Sequence, residues 1–435
     1  MTRTNLLASV AVVALLGTSQ GAWAQAVVVN QTTTNNADVT NNGNNLSSGG
    51  PTSGLGSSLA IGATGAASVA SQTGINQTFS GPAVGFGTID QRSTNTGTIL
   101  NTNGGGLSVG PGTTGSGASV SISASGALNS VSITGIGGAN NASFAPAGSG
   151  DIAQTTNSNS GTVTNSGAIV GGGLIMSGNG SSASIGATGA MSSVSVSAID
   201  ATTFSANALG AVHQTPVNTG AVTNTSNNLT VGDLTGKGVS ASVSATGAAG
   251  AVSVAAINSA GVGGVTTGNV TQTVNNTAVI GNTGGTTTVG AVSGDGASVN
   301  TGATGSIASV SLTSIASNAA VNTVGTVTQT SNNNASSTVT NTGTINTGAL
   351  SGIGSSVGIS ATGAASSVSA NSINDTALAG VQVVGNVMQT TLNATGSTVI
   401  NTGTITTGAG SMGNGASASI SATGAGSFVS FRSVK

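Results

Sequence analysis

Along most of this chain apolar and polar residues alternate one for one. Ala118-Ser119-Val120-Ser121-Ile122-Ser123-Ala124 and Val194-Ser195-Val196 are typical runs. Such alternation is the mark of a β-strand with one buried face. After residue 24 no stretch keeps a helical period. Ala is abundant, but it stands beside Ser, Thr, Val and Gly, which favour strands and turns. Thr-Gly and Asn-Thr-Gly steps read as turns, because Gly accepts positive φ and Asn bonds to its own backbone there.

The alternating runs recur as a repeat. One anchor is an apolar-x-Gln-polar step at Gln31, Gln91, Gln154, Gln214, Gln272, Gln329 and Gln389, with gaps of 60, 63, 60, 58, 57 and 60. A second is Ala-(Thr/Ser)-Gly-(Ala/Ser), with its glycine at Gly65, Gly126, Gly189, Gly247, Gly305, Gly363 and Gly424. Each glycine follows its glutamine by 33 to 35 residues. Two independent anchors with one period define seven units of about 60 residues, starting near 29, 89, 152, 212, 270, 327 and 387. Within the units an apolar-x-Asn step ends at Asn41, Asn101, Asn165, Asn224, Asn282, Asn341 and Asn401. Val recurs five residues after the glycine in units two to seven; the first unit departs, with Val69 four after Gly65. We expect four short strands per unit, about 28 in all. They form one repetitive β domain over residues 25–435, with no separable second domain.

The expected fold is all-β: a repetitive β-solenoid of seven units. Its apolar residues are Val, Ile and above all Ala, and the Phe residues at 79, 86, 144, 204, 428 and 431 are out of phase. So thin a core works when each coil buries the next. Equivalent residues then stack about 4.8 Å apart, and buried Gln and Asn amides bond along the stack. A unit of about 60 residues reads as two wide coils or three narrower ones. The alternative fold is a seven-bladed β-propeller, against which stands the lack of phased Trp, Asp or His.

Two textures resemble known families. Val327-Thr328-Gln329-Thr330-Ser331-Asn332-Asn333 is similar to the strand motifs of curlin-type functional amyloid subunits, although those have shorter units with paired glutamines. Asn341-Thr342-Gly343-Thr344-Ile345 resembles passenger regions of large bacterial surface β-solenoids. The resemblance implies a secreted bacterial fibre, adhesin or matrix component.

Met1 to Ala24 reads as a secretory signal peptide: Arg3, an apolar run Leu6 to Leu16, then Ala22-Trp23-Ala24 for cleavage. The run is too short to anchor the chain in a bilayer. Residues 25–435 keep four basic and seven acidic residues, a net charge of −3 (4 − 7). A basic nucleic-acid surface is excluded, and without Cys so are disulfides and thiolate metal sites. The seven Asp, at 38, 90, 151, 200, 233, 295 and 375, share no phase and read as turn residues. His213 has no recurring acidic or nucleophilic partner and reads as a solvent-facing strand residue. Gly104-Gly105-Gly106 and Gly171-Gly172-Gly173 lack the Gly-Lys-(Ser/Thr) of a phosphate loop, and Lys237 stands alone. The Thr326-Val327-Thr328-Gln329-Thr330 face is not repeated regularly enough for ice binding.

No catalytic, cofactor or metal site is therefore expected, and the phased Gln and Gly residues are structural ladder candidates. The expected function is a structural component of the extracellular surface or biofilm matrix, fibre-forming or adhesive, assembling by β-strand pairing. Alternatives are a non-assembling adhesin passenger that binds through variable connectors such as Gly137 to Ser149, an ice-binding protein, or a β-helix enzyme. The expected partners are other copies of the chain and an outer-membrane export partner. The expected location is the cell surface or exterior of a Gram-negative-type bacterium, with the periplasm as alternative.

Overall fold

The computed structural model describes residues 27–42, 46–48, 54–75, 86–102, 107–109, 112–113, 115–137, 151–171, 175–200, 208–225, 227–259, 266–317, 322–334, 336–373, 382–410 and 412–434. The expected leader, the connector from 138 to 149, Gly104–Gly106, Phe79, Phe144, Phe204 and Asp375 lie outside the described residues.

The period-two runs form strands, and each strand pairs in parallel with its counterpart in the next unit. In the fourth unit the main strands are Val212–Asn218, Val222–Thr225, Asn228–Val231 and Ser240–Ile257. We refer to them as the Gln strand, the Asn strand, the third strand and the long strand. Each belongs to a seven-stranded sheet with one strand from every unit. The protein is thus an all-β parallel β-solenoid. In a propeller the strands of one unit would pair with one another in an antiparallel blade. Here neighbouring strands come from successive units, which removes that alternative.

Each unit is a single wide coil, so the expected division into two or three coils is corrected. The cause is the long strand, which takes up 18 residues in all seven units. The two apolar-polar runs flanking the anchor glycine are one strand. The described residues hold 34 strands in place of the expected 28 or so, because short strands also form in the connecting segments.

The anchor glycines are not turns. They sit mid-strand, at the point where the buried face changes. Ala183, Ile185 and Ala187 are buried before Gly189; Ala190, Ser192, Val194 and Val196 are buried after it. Space demands the glycine: a Cβ at Gly189 would overlap Asn218 Oδ1 and lie 2.6 Å from the Gly247 carbonyl oxygen. The turn before each long strand is a Gly-x-Gly step, for example Gly178-Asn179-Gly180 and Gly236-Lys237-Gly238. Its second glycine has φ of 65° at Gly180 and 64° at Gly238, which a side chain strains to adopt. The first unit's odd valine follows from the same register. Val69 pairs with Ser130 on the other face, and Ala70 takes the buried place beside Val131.

Eighteen extended residues would span about 60 Å. Yet Ile199, at the end of its long strand, puts Cδ1 2.9 Å from where a Cβ on Gly180 would lie, just before that strand begins. The long strand therefore doubles back on itself. The fold is toward the side away from the core, since a Cβ on Gly426 would lie 3.2 Å from Thr423 Cγ2 across the anchor Gly424. Ile199, Ile257, Ile315 and Ile373 form an apolar ladder where the two ends meet. Polar bonds reinforce this closure. Asn179 Nδ2 and Asn258 Nδ2 donate to Asp200 Oδ1 at 2.8 and 2.7 Å, and Lys237 Nζ donates to Asn258 Oδ1 at 3.0 Å. Asp200 and Asn258 hold φ of 53° and 49°, a region Asp and Asn tolerate better than most residues.

Each coil thus has two arms. In one, the second half of the long strand packs on the Gln strand through residues such as Val212, Val252 and Val254. In the other, its first half packs on the third strand through Leu229, Ala241 and Val243, and on the Asn strand through Val222 and Ala245. The concave face between the halves carries rows of hydroxyls. One row is serine throughout: Ser58, Ser119, Ser182, Ser240, Ser298, Ser356 and Ser417.

The two glycines of one long strand separate space from flexibility. Gly189→Ala is expected to lower stability by about 1–3 kcal/mol through overpacking. At Gly186→Ala the nearest atom is Ser244 Oγ at 3.6 Å, and the change is expected to be neutral or stabilising. Urea denaturation of both variants checks this.

Candidate interaction site: amide ladders and an open coil end

The seven anchor glutamines form one continuous ladder. Each Nε2 donates to the Oε1 of the preceding coil: Gln91 to Gln31 at 2.9 Å, Gln154 to Gln91 at 2.9 Å, Gln214 to Gln154 at 2.8 Å, Gln272 to Gln214 at 2.7 Å, Gln329 to Gln272 at 2.8 Å and Gln389 to Gln329 at 2.9 Å. Nε2 also reaches across the coil to a long-strand carbonyl four residues past the anchor glycine. Gln31 donates to the Val69 oxygen at 3.0 Å and Gln272 to the Ser309 oxygen at 3.1 Å. The ladder therefore ties coil to coil and also ties the Gln strand to the wall facing it. A buried amide satisfied on both counts costs little desolvation.

Two asparagine ladders run beside it with opposite polarity. In the first, Asn35, Asn95, Asn159, Asn218, Asn276 and Asn333 each donate Nδ2 to the next coil's Oδ1, ending on Asn393, at 2.7 to 2.9 Å. Their oxygens fill the space that the anchor glycines leave. In the second, Asn41 donates to Asn101 at 3.0 Å, Asn101 to Asn165 at 2.9 Å, and the row continues to Asn341. Unit three has one residue more between Gln154 and Asn159 than the other units have between these positions. A register shift between Gln154 and Asn157 absorbs it, so both rows stay aligned. The phased apolar-x-Asn step pointed to the second ladder. The first was missed, although its asparagine follows the glutamine by four residues in every unit but the third.

Among the described residues the scarce charges sit at the periphery, and several do more than solubilise. Asp38, Asp151 and Asp233 each accept the backbone N–H of a residue one coil on: Thr98 at 2.8 Å, Ala211 at 2.9 Å and Ala291 at 2.7 Å. Asp90 pairs with Arg92 at 3.0 Å on the surface. His213 is exposed, in register with Ala153 and Thr271. Among the described residues no three His, Cys, Asp or Glu side chains group as metal ligands, and no helix is long and apolar enough to cross a membrane.

The two ends of the stack differ. In the first coil the core residues Val29 and Ile61 are each only 6% exposed. In the last coil Ile420 is 53% and Val429 50% exposed, although their row-mates Ile359 and Val368 are buried. Phe428 and Phe431 are exposed there too. The last Gln, Asn, third and long strands each form the edge of their sheet. The C-terminal coil thus presents an open cross-section: backbone edges, apolar core residues and the ends of the amide ladders.

Fold and end together define a wide-coil parallel β-solenoid with one open face. No protein-family model, curated protein or solved structure matches this chain.

Gln214→Leu leaves Gln154 Oε1 without its donor and Gln272 Nε2 without one acceptor, with an expected cost of about 1–3 kcal/mol. Gln214→Glu is expected to cost more at neutral pH, because it buries a carboxylate. Burial holds that carboxyl's folded pKa above its unfolded one, so the penalty is full above the folded pKa and fades as pH falls toward the unfolded one. Denaturation midpoints of both variants at neutral and acidic pH check this.

Proposed function

We propose that this protein is a secreted structural component of the extracellular surface or biofilm matrix, which assembles into fibres or an adhesive layer by β-strand pairing. The observation that carries this reading is the open C-terminal coil. An unpaired parallel edge with an exposed apolar core is a template for another chain. The near-absence of charge agrees with it, since facing charged ends would repel. In this reading the chain needs no cofactor, catalyses nothing, and reaches the exterior through an outer-membrane export partner.

Purified chain at rising concentration is expected to form fibres visible by electron microscopy, with a cross-β spacing of about 4.8 Å along the fibre. A chain that stays monomeric at high concentration, with no fibres, would sink the proposal. Loss of a surface layer on cells lacking the gene tests the same reading in place.

A further inference from the structure

We infer that the open end takes the first coil of a second copy, added head to tail along the stacking axis, an assignment that rests on the assembly reading above. One more step of the observed register places Gln31 on Gln389, Asn35 on Asn393, Ile61 on Ile420 and Ala63 on Ala422. Each of these contacts repeats a residue row already present inside the chain.

The ladders also fix the direction. Every glutamine donates toward the first coil, so the next acceptor in that row is Gln389 Oε1. The asparagine row at Asn333 donates toward the last coil, so the next donor is Asn393 Nδ2. The first coil of another copy carries the matching row-mates, Gln31 and Asn35, and meets both demands once that coil is uncovered. Two last coils face to face with the glutamine rows superposed would set Gln389 Oε1 against its own copy, acceptor on acceptor. That arrangement also turns the coil outline over, so the doubled-back long strands cross instead of stacking. A translation avoids both faults, and an interface built on translation gives an open polar filament.

The ends play unequal parts. The last coil needs no change to receive a partner. The first coil's core is already buried, so it must be uncovered before it docks.

Val429→Lys and Phe431→Lys test the inference. Both positions lie in the last coil, at 50% and 63% exposure, in rows whose neighbours Val368 and Ala370 are buried. The whole chain, recovered from a secreting host, is used, and circular dichroism verifies its β content. Neither variant is expected to form fibres alone. Mixed at roughly one part in ten with the unsubstituted chain, each is expected to shorten fibres to about ten chains, since a blocked copy still adds by its first coil and then ends growth. Fibres of full length, from either variant alone or in the mixture, would overturn the assignment in favour of lateral pairing. Variants that neither assemble nor shorten the fibres would also overturn it, since a blocked copy would then fail to add by its first coil. If the unsubstituted chain forms no fibres, the assembly reading itself fails.

Discussion

Every residue in a coil lies about 4.8 Å from its counterpart in the next, and it must be compatible with a near-copy of itself at that distance. Charge fails this test because like charges repel. Small apolar residues pass it, and so do amides, which carry a donor and an acceptor on one group. The glutamine and asparagine rows meet the requirement at the centre of the coil, where other polar groups would remain unpaired. The opposed polarity of the rows means that the bond dipoles partly cancel along the stack.

The same constraint shapes the long strand. A strand that doubles back over 18 residues needs its bend at one phase in every coil, or the sheet above it would lose register. The anchor glycine supplies that phase. It admits the asparagine oxygen at the corner, and there the buried side of the strand changes. The Gly-x-Gly turn and the isoleucine ladder close the bend. The variable middle residue of that turn, Asn179 in one coil and Lys237 in the next, points to a frame held by the glycines.

A stack of self-compatible rows has no inherent end. Inside it each coil buries the core of the one before, so a terminal coil either carries a cover or stays open. Here the first coil is buried and the last is not. The exposed Val429 and Phe431 stand in rows whose members in the coil before, Val368 and Ala370, are buried, which sets them apart from surface hydrophobics scattered over a solvated face.

Much of this was written in the sequence. Strand character, the seven-unit repeat, the glutamine row and the second asparagine row follow from period and phase, because stacking imposes the same residue at the same place in each copy. Tertiary structure decided the rest. Nothing local says that the runs on either side of Gly189 are one strand, since a Thr-Gly step reads equally well as a turn. What excludes the turn is Asn218, some thirty residues on, whose side chain needs the space. The coil count depended on that strand. The register of Val69 needed the neighbouring coil, because alternation gives two faces but not which of them is buried. The difference between the two ends was beyond any reading of the repeat, because the units are alike and only the stack has a first and a last.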